Sequence, residues 1–242
     1  MSTPISPMQN RLLASLVLVE FERLKPNLEV VNLAVGDIIY ESGARQEFVY
    51  FPTTAVISLL YMMEDGELAE IASIGSEGIV GISWFLGGHS AINSATVQRA
   101  GDAYRLRGRY LKEEFDRAGS FLRLLLRYTQ ALITQMTQIA LCHRYHNVEQ
   151  QLCRWLLQNM DRSSSNSMKM TQQLIANSLG FRRERITEVA SKLQDQHIIR
   201  YSRGSIVILD RAGLEKKVCE CYWVIRQEFD HMLHQPQEHQ NA

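Results

Sequence analysis

The stretch Met170–Ile199, MTQQLIANSLGFRRERITEVASKLQDQHII, limits the fold more than any other part of the chain. Thr171 suits a helix N-cap, because its hydroxyl can accept from a free backbone N–H of the first turn. In the helix Gln172–Leu179, Ile175 and Leu179 fall four apart on one face, and Ala176 leaves room for a second helix to cross closely. Gly180 then supplies the left-handed turn that ends a helix. A second helix, from about Arg182 to Gln196, carries Ile186, Val189, Ala190 and Leu193 at three- and four-residue spacing. Its other face carries Arg182, Arg183, Glu184, Thr187, Glu188 and Ser191. Two short helices joined by a glycine turn, the second with a polar, basic start, make a helix-turn-helix.

Charge separates this pair from an ordinary two-helix core. Lys169 to Gly204 holds seven basic residues (Lys169, Arg182, Arg183, Arg185, Lys192, Arg200, Arg203) and three acidic ones (Glu184, Glu188, Asp195), a local +4 in a chain of formal charge zero. Arginines crowd the start of the second helix, where the macrodipole disfavours cations. Residues that oppose their own helix serve a partner, and phosphate and guanine fit them. Double-stranded DNA is the expected partner, and overall neutrality does not oppose it, because the field that matters is local.

Composition bounds the remaining classes. The 242 residues contain no apolar run of the roughly 18 residues a membrane span needs. MSTPISPMQNRLL lacks a basic region followed by an apolar core, so no secretory signal is expected and the expected compartment is the cytoplasm. Cys142, Cys153, Cys219 and Cys221 form no CxxC pair and no N-terminal cluster, so zinc, iron–sulfur and disulfide chemistry are not expected. Cys142-His143 with His146 has helical spacing suited to a metal, yet it falls in the helix assigned below to dimerisation. No metal or other cofactor is expected.

Gln9 to Leu24 reads as a short helix with Leu12, Leu13, Leu16, Val17 and Phe21 inward, stopped by Pro26. Short β-rich runs follow at Glu29–Leu33, Ile38–Tyr40, Phe48–Phe51, Val56–Met63, Ala69–Ile74, Ile79–Ile82, Ser94–Gln98 and Ala103–Leu106. Asp65-Gly66 between two of them is a hairpin signal. Regularly spaced short strands favour a β-barrel or roll over alternating β/α units.

Helical spacing returns at Arg109–Phe115 and runs long from Phe121 to about His146. There Leu122, Leu126, Thr129, Ile133, Met136, Ala140 and His143 alternate steps of four and three, a heptad seam. A second stripe, Leu125, Leu132 and Ile139, suits the chain's own β domain. A long helix with two apolar stripes needs two partners, so the seam is assigned to a homodimer. Paired recognition helices would then read a two-fold site. Asn147–Met160 is a further helix, Arg162–Ser167 a polar loop, and Ile198–Tyr201 with Ile206–Leu209 a β-wing tipped by Arg203. One closing amphipathic helix carries Leu214, Val218, Tyr222, Ile225, Phe229 and Met232, and the tail from Gln235 is polar. The expected organisation is α+β: a β-roll sensor domain over 1–118, a dimerisation helix over 119–146, a winged helix-turn-helix DNA-binding domain with an extra C-terminal helix over 147–234, and a polar tail over 235–242.

This order resembles the CRP/FNR family of bacterial transcription regulators, most specifically in Val35–Gly43 (VGDIIYESG), Gly78–Ile82 (GIVGI) and Met170–Ile199. The resemblance implies an N-terminal double-stranded β-roll of the cyclic-nucleotide-binding type, a long dimerisation helix and a C-terminal winged helix-turn-helix. It also implies DNA, a second copy, RNA polymerase and a small-molecule effector as partners. In the family's cyclic-AMP-binding members a Gly-Glu-Leu segment supplies a carboxylate for the ribose, and an Arg-Ser-Ala segment a guanidinium for the phosphate. Gly81-Ile82-Ser83 and Asn93-Ser94-Ala95 stand at those places, and both charges are gone. A buried phosphate would be left uncompensated, so cyclic AMP is not expected in the usual mode. Ile82, Ser83, Asn93, Ser94 and Ala95 remain the candidates for an effector pocket. His89 is the sole histidine before the long helix, too little for a heme ligand set.

At the DNA end, Arg183 and Glu184 match the family's Arg-Glu pair. Arginine can grip guanine O6 and N7, and glutamate can accept from cytosine N4. Glu188 replaces an arginine usual in the family, so a different half-site is expected. Arg183, Glu184, Thr187 and Glu188 are the base-reading candidates. Gln173, Arg182, Arg185 and Arg203 are the phosphate candidates. A cupin-type enzyme on the roll would need several His and carboxylate ligands, and the β region has only His89. A winged-helix protein-interaction module without DNA binding would leave the basic patch unused. No catalytic residue is expected.

Overall fold

The N-terminal apolar run folds as two short helices, α1 (Arg11–Ala14) and α2 (Leu18–Leu24), where one had been expected over Gln9–Leu24. Asn10 sets the first: its Oδ1 accepts from Leu13 N (3.0 Å) while its Nδ2 donates to Pro52 O (2.8 Å) and Gly78 O (2.9 Å). The Ser15 hydroxyl donates to Arg11 O (2.8 Å), satisfying the last turn and ending α1. The computed structural model describes residues 5–64, 68–88, 90–163, 165–202 and 204–234. The Asp65-Gly66 turn, His89, Arg203 and the tail from Gln235 lie outside the described residues.

Two antiparallel sheets form the roll. One has the order β1 (Glu29–Leu33), β7 (Gly101–Arg107), β3 (Phe48–Pro52). The other has the order β2 (Ile38–Tyr40), β6 (Ser94–Arg99), β4 (Val56–Met62), β5 (Leu68–Ile74). Alternation along these strands sends Val49, Phe51, Ile57, Ala72, Val97 and Leu106 into one shared core. Ile79–Ile82, expected as a strand, makes only a single bridge, Val80 to Tyr50. Gly81, at φ +108°, then turns the chain into α3 (Ser83–Leu86), and a Cβ there would press on Val49.

After α4 (Gly108–Asp116) comes α5 (Ser120–Tyr145). Gly119 offers α5 no capping side chain, and buried Glu20 of α2 does that work, accepting from Phe121 N (3.1 Å) and Ser120 Oγ (2.6 Å). Leu125 and Leu132 are buried in the core of the roll, and Ile139 is buried further along the same stripe. On that side the Tyr128 hydroxyl donates to Ile79 O (2.8 Å) and Gln135 Nε2 to Ser73 O (3.1 Å).

The C-terminal module opens on α6 (Val148–Asp161), whose start is closed by reciprocal Asn147 and Gln150 bonds. Strand β8 (Ser167–Lys169), not foreseen in the polar Arg162–Ser167 stretch, joins β9 (Ile199–Ser202) and β10 (Ser205–Ile208) in the order β8-β10-β9. Helices α7 (Gln172–Leu179) and α8 (Arg183–Asp195) pack between α6 and this sheet. The single closing helix expected from the sequence is broken at Val218-Cys219 into α9 (Arg211–Lys217) and α10 (Glu220–His234). Leu214 and Tyr222 enter the C-terminal core, whereas Ile225, Phe229 and Met232 enter the core of the roll.

Buried polar groups join the modules. Arg162, after α6, donates to Glu77 Oε1 (2.8 Å), Ser73 Oγ (2.7 Å) and Ser73 O (2.8 Å). Arg99 of β6 reaches Asn159 O (3.2 Å) and Arg162 O (2.5 Å). Glu70 of β5 accepts from Ser58 Oγ (2.6 Å) and Gln98 Nε2 (2.7 Å), and Gln98 also reaches Ser178 Oγ of α7 (3.3 Å). Burial pushes the Glu70 carboxyl up, against the opposing pull of Ser58, Arg154, Arg162 and Ser178. A carboxyl raised in the fold is easier to bury protonated, so its ionisation subtracts stability as pH climbs from the unfolded value through the folded one. Glu70→Gln should therefore melt higher than the parent near neutral pH, and the gain should vanish below the ordinary carboxylate range of about 4. Thermal melts across that range check it, and a gain that grows toward acid would contradict it.

Candidate nucleic-acid interface

Packing fixes which face of α8 is free. Thr171 Oγ1 accepts from Leu174 N (3.1 Å), and Gly180, at φ 65° and ψ 33°, ends α7 in the left-handed region. Ile175, Ala176 and Leu179 of α7 meet Ile186, Val189, Ala190 and Leu193 of α8 in one buried cluster around Trp155 and Ile206. Tyr201 of the wing accepts from Gln172 N (3.2 Å) and ties the sheet to the start of α7. The residues left outward are Arg182, Arg183, Glu184, Arg185, Thr187 and Glu188, with Gln173 on the neighbouring helix and Lys169 and Arg200 on the wing sheet.

These side chains are not equivalent. Arg182 stands at the N-cap of α8 and makes no capping bond, so the first turn keeps its free N–H groups. Arg182, Arg183 and Glu184 make no side-chain hydrogen bond or salt bridge among the described residues. Glu188 is clamped by Arg185 (2.9 Å) and Lys192 (2.9 Å), Lys192 foremost in holding its carboxyl below the usual carboxylate range. The Thr187 hydroxyl lies 2.8 Å from Gln172 Oε1 and 3.0 Å from Arg183 O, and Gln173 Nε2 donates to Asn177 Oδ1 (2.8 Å). Arg183 and Glu184 are thus available as they stand, whereas Arg185, Thr187, Glu188 and Gln173 must first exchange an internal partner. Lys192, as a partner of Glu188, went unassigned in the sequence, although the four-residue spacing announces it.

In the roll, the proposed pocket residues separate. Ala95 is buried in the core, Ile82 packs against it, and Ser94 Oγ lies 3.4 Å from Leu60 O. Ser83 donates to Gln46 Oε1 (2.6 Å). Burial pushes the Tyr40 hydroxyl up to about 12, against the opposing pull of Gln46 and Asn93 beside it. Tyr40, Gln46, Ser83 and Asn93 therefore form one polar cluster, and Tyr40 and Gln46 had not been singled out from the sequence. On α5, Leu126 (48% exposed), Ile133 (53%), Ala140 and His143 of the seam face outward, while Leu122, Thr129 and Met136 are half-buried. No metal centre was expected, yet Cys142, His146, Cys219 and Cys221 come together, without His143.

Residues 150–217 match the Crp-like helix-turn-helix domain. FixK2 of Bradyrhizobium japonicum superposes with a TM-score of 0.66 at 18% identity, covering 79% of this chain and 98% of that one. A CRP/FNR-family transcriptional regulator of Thermus thermophilus superposes with a TM-score of 0.59 at 18% identity, covering 78% and 97%. The chain carries the CRP/FNR fold. The c-di-GMP responsive global regulator CLP of Xanthomonas campestris shares that fold at 14% identity, with a TM-score of 0.63 over 79% of this chain and 99% of that one. No curated protein sequence matches the chain. Within the CRP/FNR fold, α7 and α8 are the helix-turn-helix, β8–β10 the wing and α5 the long helix between the modules. No helix among the described residues is long and apolar enough to cross a membrane.

Proposed function

We propose that the chain is a dimeric, sequence-specific DNA-binding transcription regulator that answers a signal received in its β-roll. The observation that carries this is the outward Arg183–Glu184 pair at the start of α8, without a partner among the described residues, on a helix whose other face is locked into the core. Two copies joined along the α5 seam would set two such helices against successive major grooves, with Arg182, Arg185 and the wing on phosphates. RNA polymerase is the protein partner such a regulator would meet on DNA. The effector would be a small polar molecule that exchanges hydrogen bonds with Tyr40, Gln46, Ser83 and Asn93, rather than cyclic AMP held by the usual carboxylate and guanidinium. Its binding would shift α5 between two packings on the roll and so reposition the reading heads.

Fragments selected from genomic DNA supply the probe. In anisotropy titrations, Arg183→Ala should weaken the selected site about 5- to 150-fold, some 1–3 kcal/mol, and relax base choice at one position. Arg182→Ala should weaken all sequences alike and lower the salt slope by about one. Unchanged discrimination by Arg183→Ala would reject its base-reading role.

A further inference from the structure

Cys142 lies on the last turn of α5, and His146, four residues on, is that helix's C-cap. Cys219 and Cys221 flank the start of α10. The fold brings these two pairs together across 77 residues: Cys142 Sγ is 3.6 Å from Cys219 Sγ, and Cys221 Sγ is 3.6 Å from His146 Nδ1. All four ligand atoms lie within 4.8 Å of one another, and the three sulfurs are buried. We propose that Cys142, His146, Cys219 and Cys221 bind one zinc ion per chain.

Four features support a zinc ion. Zinc bonds of about 2.3 Å to sulfur and 2.0 Å to nitrogen, set tetrahedrally, give ligand-to-ligand edges of about 3.5–3.8 Å, the spacing of both measured pairs. His146 carries an outer partner of the kind that orients a metal-bound imidazole, because its Nε2 lies 3.3 Å from a Glu220 carboxylate oxygen. With Nε2 donating outward, the Nδ1 lone pair points at the sulfurs. Charge also balances. Three thiolates around a divalent ion leave one negative charge, and Arg154, 2% exposed, directs Nε at Cys142 Sγ from 3.3 Å. Arg154 makes no salt bridge to a carboxylate among the described residues, and the Glu70 carboxyl on which it also acts is itself pushed by burial toward its neutral form. Finally, the sulfurs of Cys219 and Cys221 sit at the N-terminal end of a 15-residue helix, which favours thiolates.

The site is held before any ion enters. His146 N donates to Cys142 O (3.0 Å), and Gln151 Nε2 donates to both Cys142 O (3.2 Å) and His146 O (2.9 Å). Four protein ligands leave no open position, so the zinc is structural and takes no part in catalysis. It cross-links the end of the long helix to the start of α10 at the junction with the reading head. Loading it releases the thiol protons.

The test uses full-length protein purified under reducing conditions without chelators. Elemental analysis should find about one zinc per chain, and mercurial titration of the native thiols should release it in step. Cobalt exchange should give the intense visible bands of a tetrahedral thiolate site. Cys219→Ser and Cys221→Ser should lose the metal, and Cys153→Ser, a buried thiol in the other core, should keep it. If the serine variants fail to fold, the parent's zinc content and cobalt spectrum decide alone. A parent that holds no zinc and gives no cobalt bands overturns the site, as does a native disulfide among these cysteines or equal metal loss from Cys153→Ser. None of these readouts depends on DNA.

Discussion

Leu126→Glu combined with Ile133→Glu should give a folded chain that sediments as a monomer and binds its selected DNA at least ~100-fold more weakly than the parent. The two side chains are about half exposed in the single chain, so their loss removes little from its own core. Each is worth roughly 0.7–1.5 kcal/mol when a partner buries its exposed half, and a two-fold interface repeats the pair. Four carboxylates brought together there would add repulsion. Splitting the dimer also removes the tethering of the second reading head, an effect on the order of 10²–10⁴ in avidity. Analytical ultracentrifugation with anisotropy measures both. A surviving dimer, or a monomer that binds undiminished, would remove the seam assignment.

The second large effect concerns the joint between modules. Arg162→Met should cost about 3–5 kcal/mol of stability, because it leaves Glu77 charged and unpaired in a buried place. Among the described residues Glu77 would keep its bond from Gly75 N (3.1 Å) and the more distant charge of Arg99. Adding Glu77→Gln should restore part of the loss, since the stranded charge then disappears. Urea titrations of the single and double variants separate the two contributions. A loss under about 1 kcal/mol for Arg162→Met would mean that the pair does not hold the joint.

Local periodicity carried most of the architecture. β1 and β2 match the residues expected of them, because chain breakers bound both, Pro26 and Gly36 around β1, Gly36 and Gly43 around β2. α7 and α8 were legible for the same kind of reason, with Thr171 and Gly180 as punctuation. Misassignments arose where an apolar pattern outran its punctuation. Ile79–Ile82 looks like a strand, but Gly81 takes a conformation that ends pairing after one bridge. β8 is three residues long and two of them are polar, so no alternation reveals it. The break at Val218-Cys219 has neither Gly nor Pro, and one apolar face runs through it into two different cores. Contacts distant in sequence were illegible for a simpler reason. Nothing local links Arg162 to Glu77, 85 residues away, or Cys142 to Cys219. On α8 the residue types were readable, but their pairing was not: only the folded helix shows Glu188 occupied and Arg183 without a partner among the described residues.

The split loyalty of the chain's end has a practical meaning for anyone recombining such proteins. Tyr222 belongs to the C-terminal core, and seven residues later Phe229 lies tilted against Tyr128 of the long helix, ring centroids 6.3 Å apart. A chimera cut between α5 and α6, after residue 146, would transplant a helix shaped for the wrong host and strip the donor roll of part of its own lining. Swapping specificities in this protein therefore calls for exchanging the outward side chains of α8 in place, leaving the backbone graft unmade.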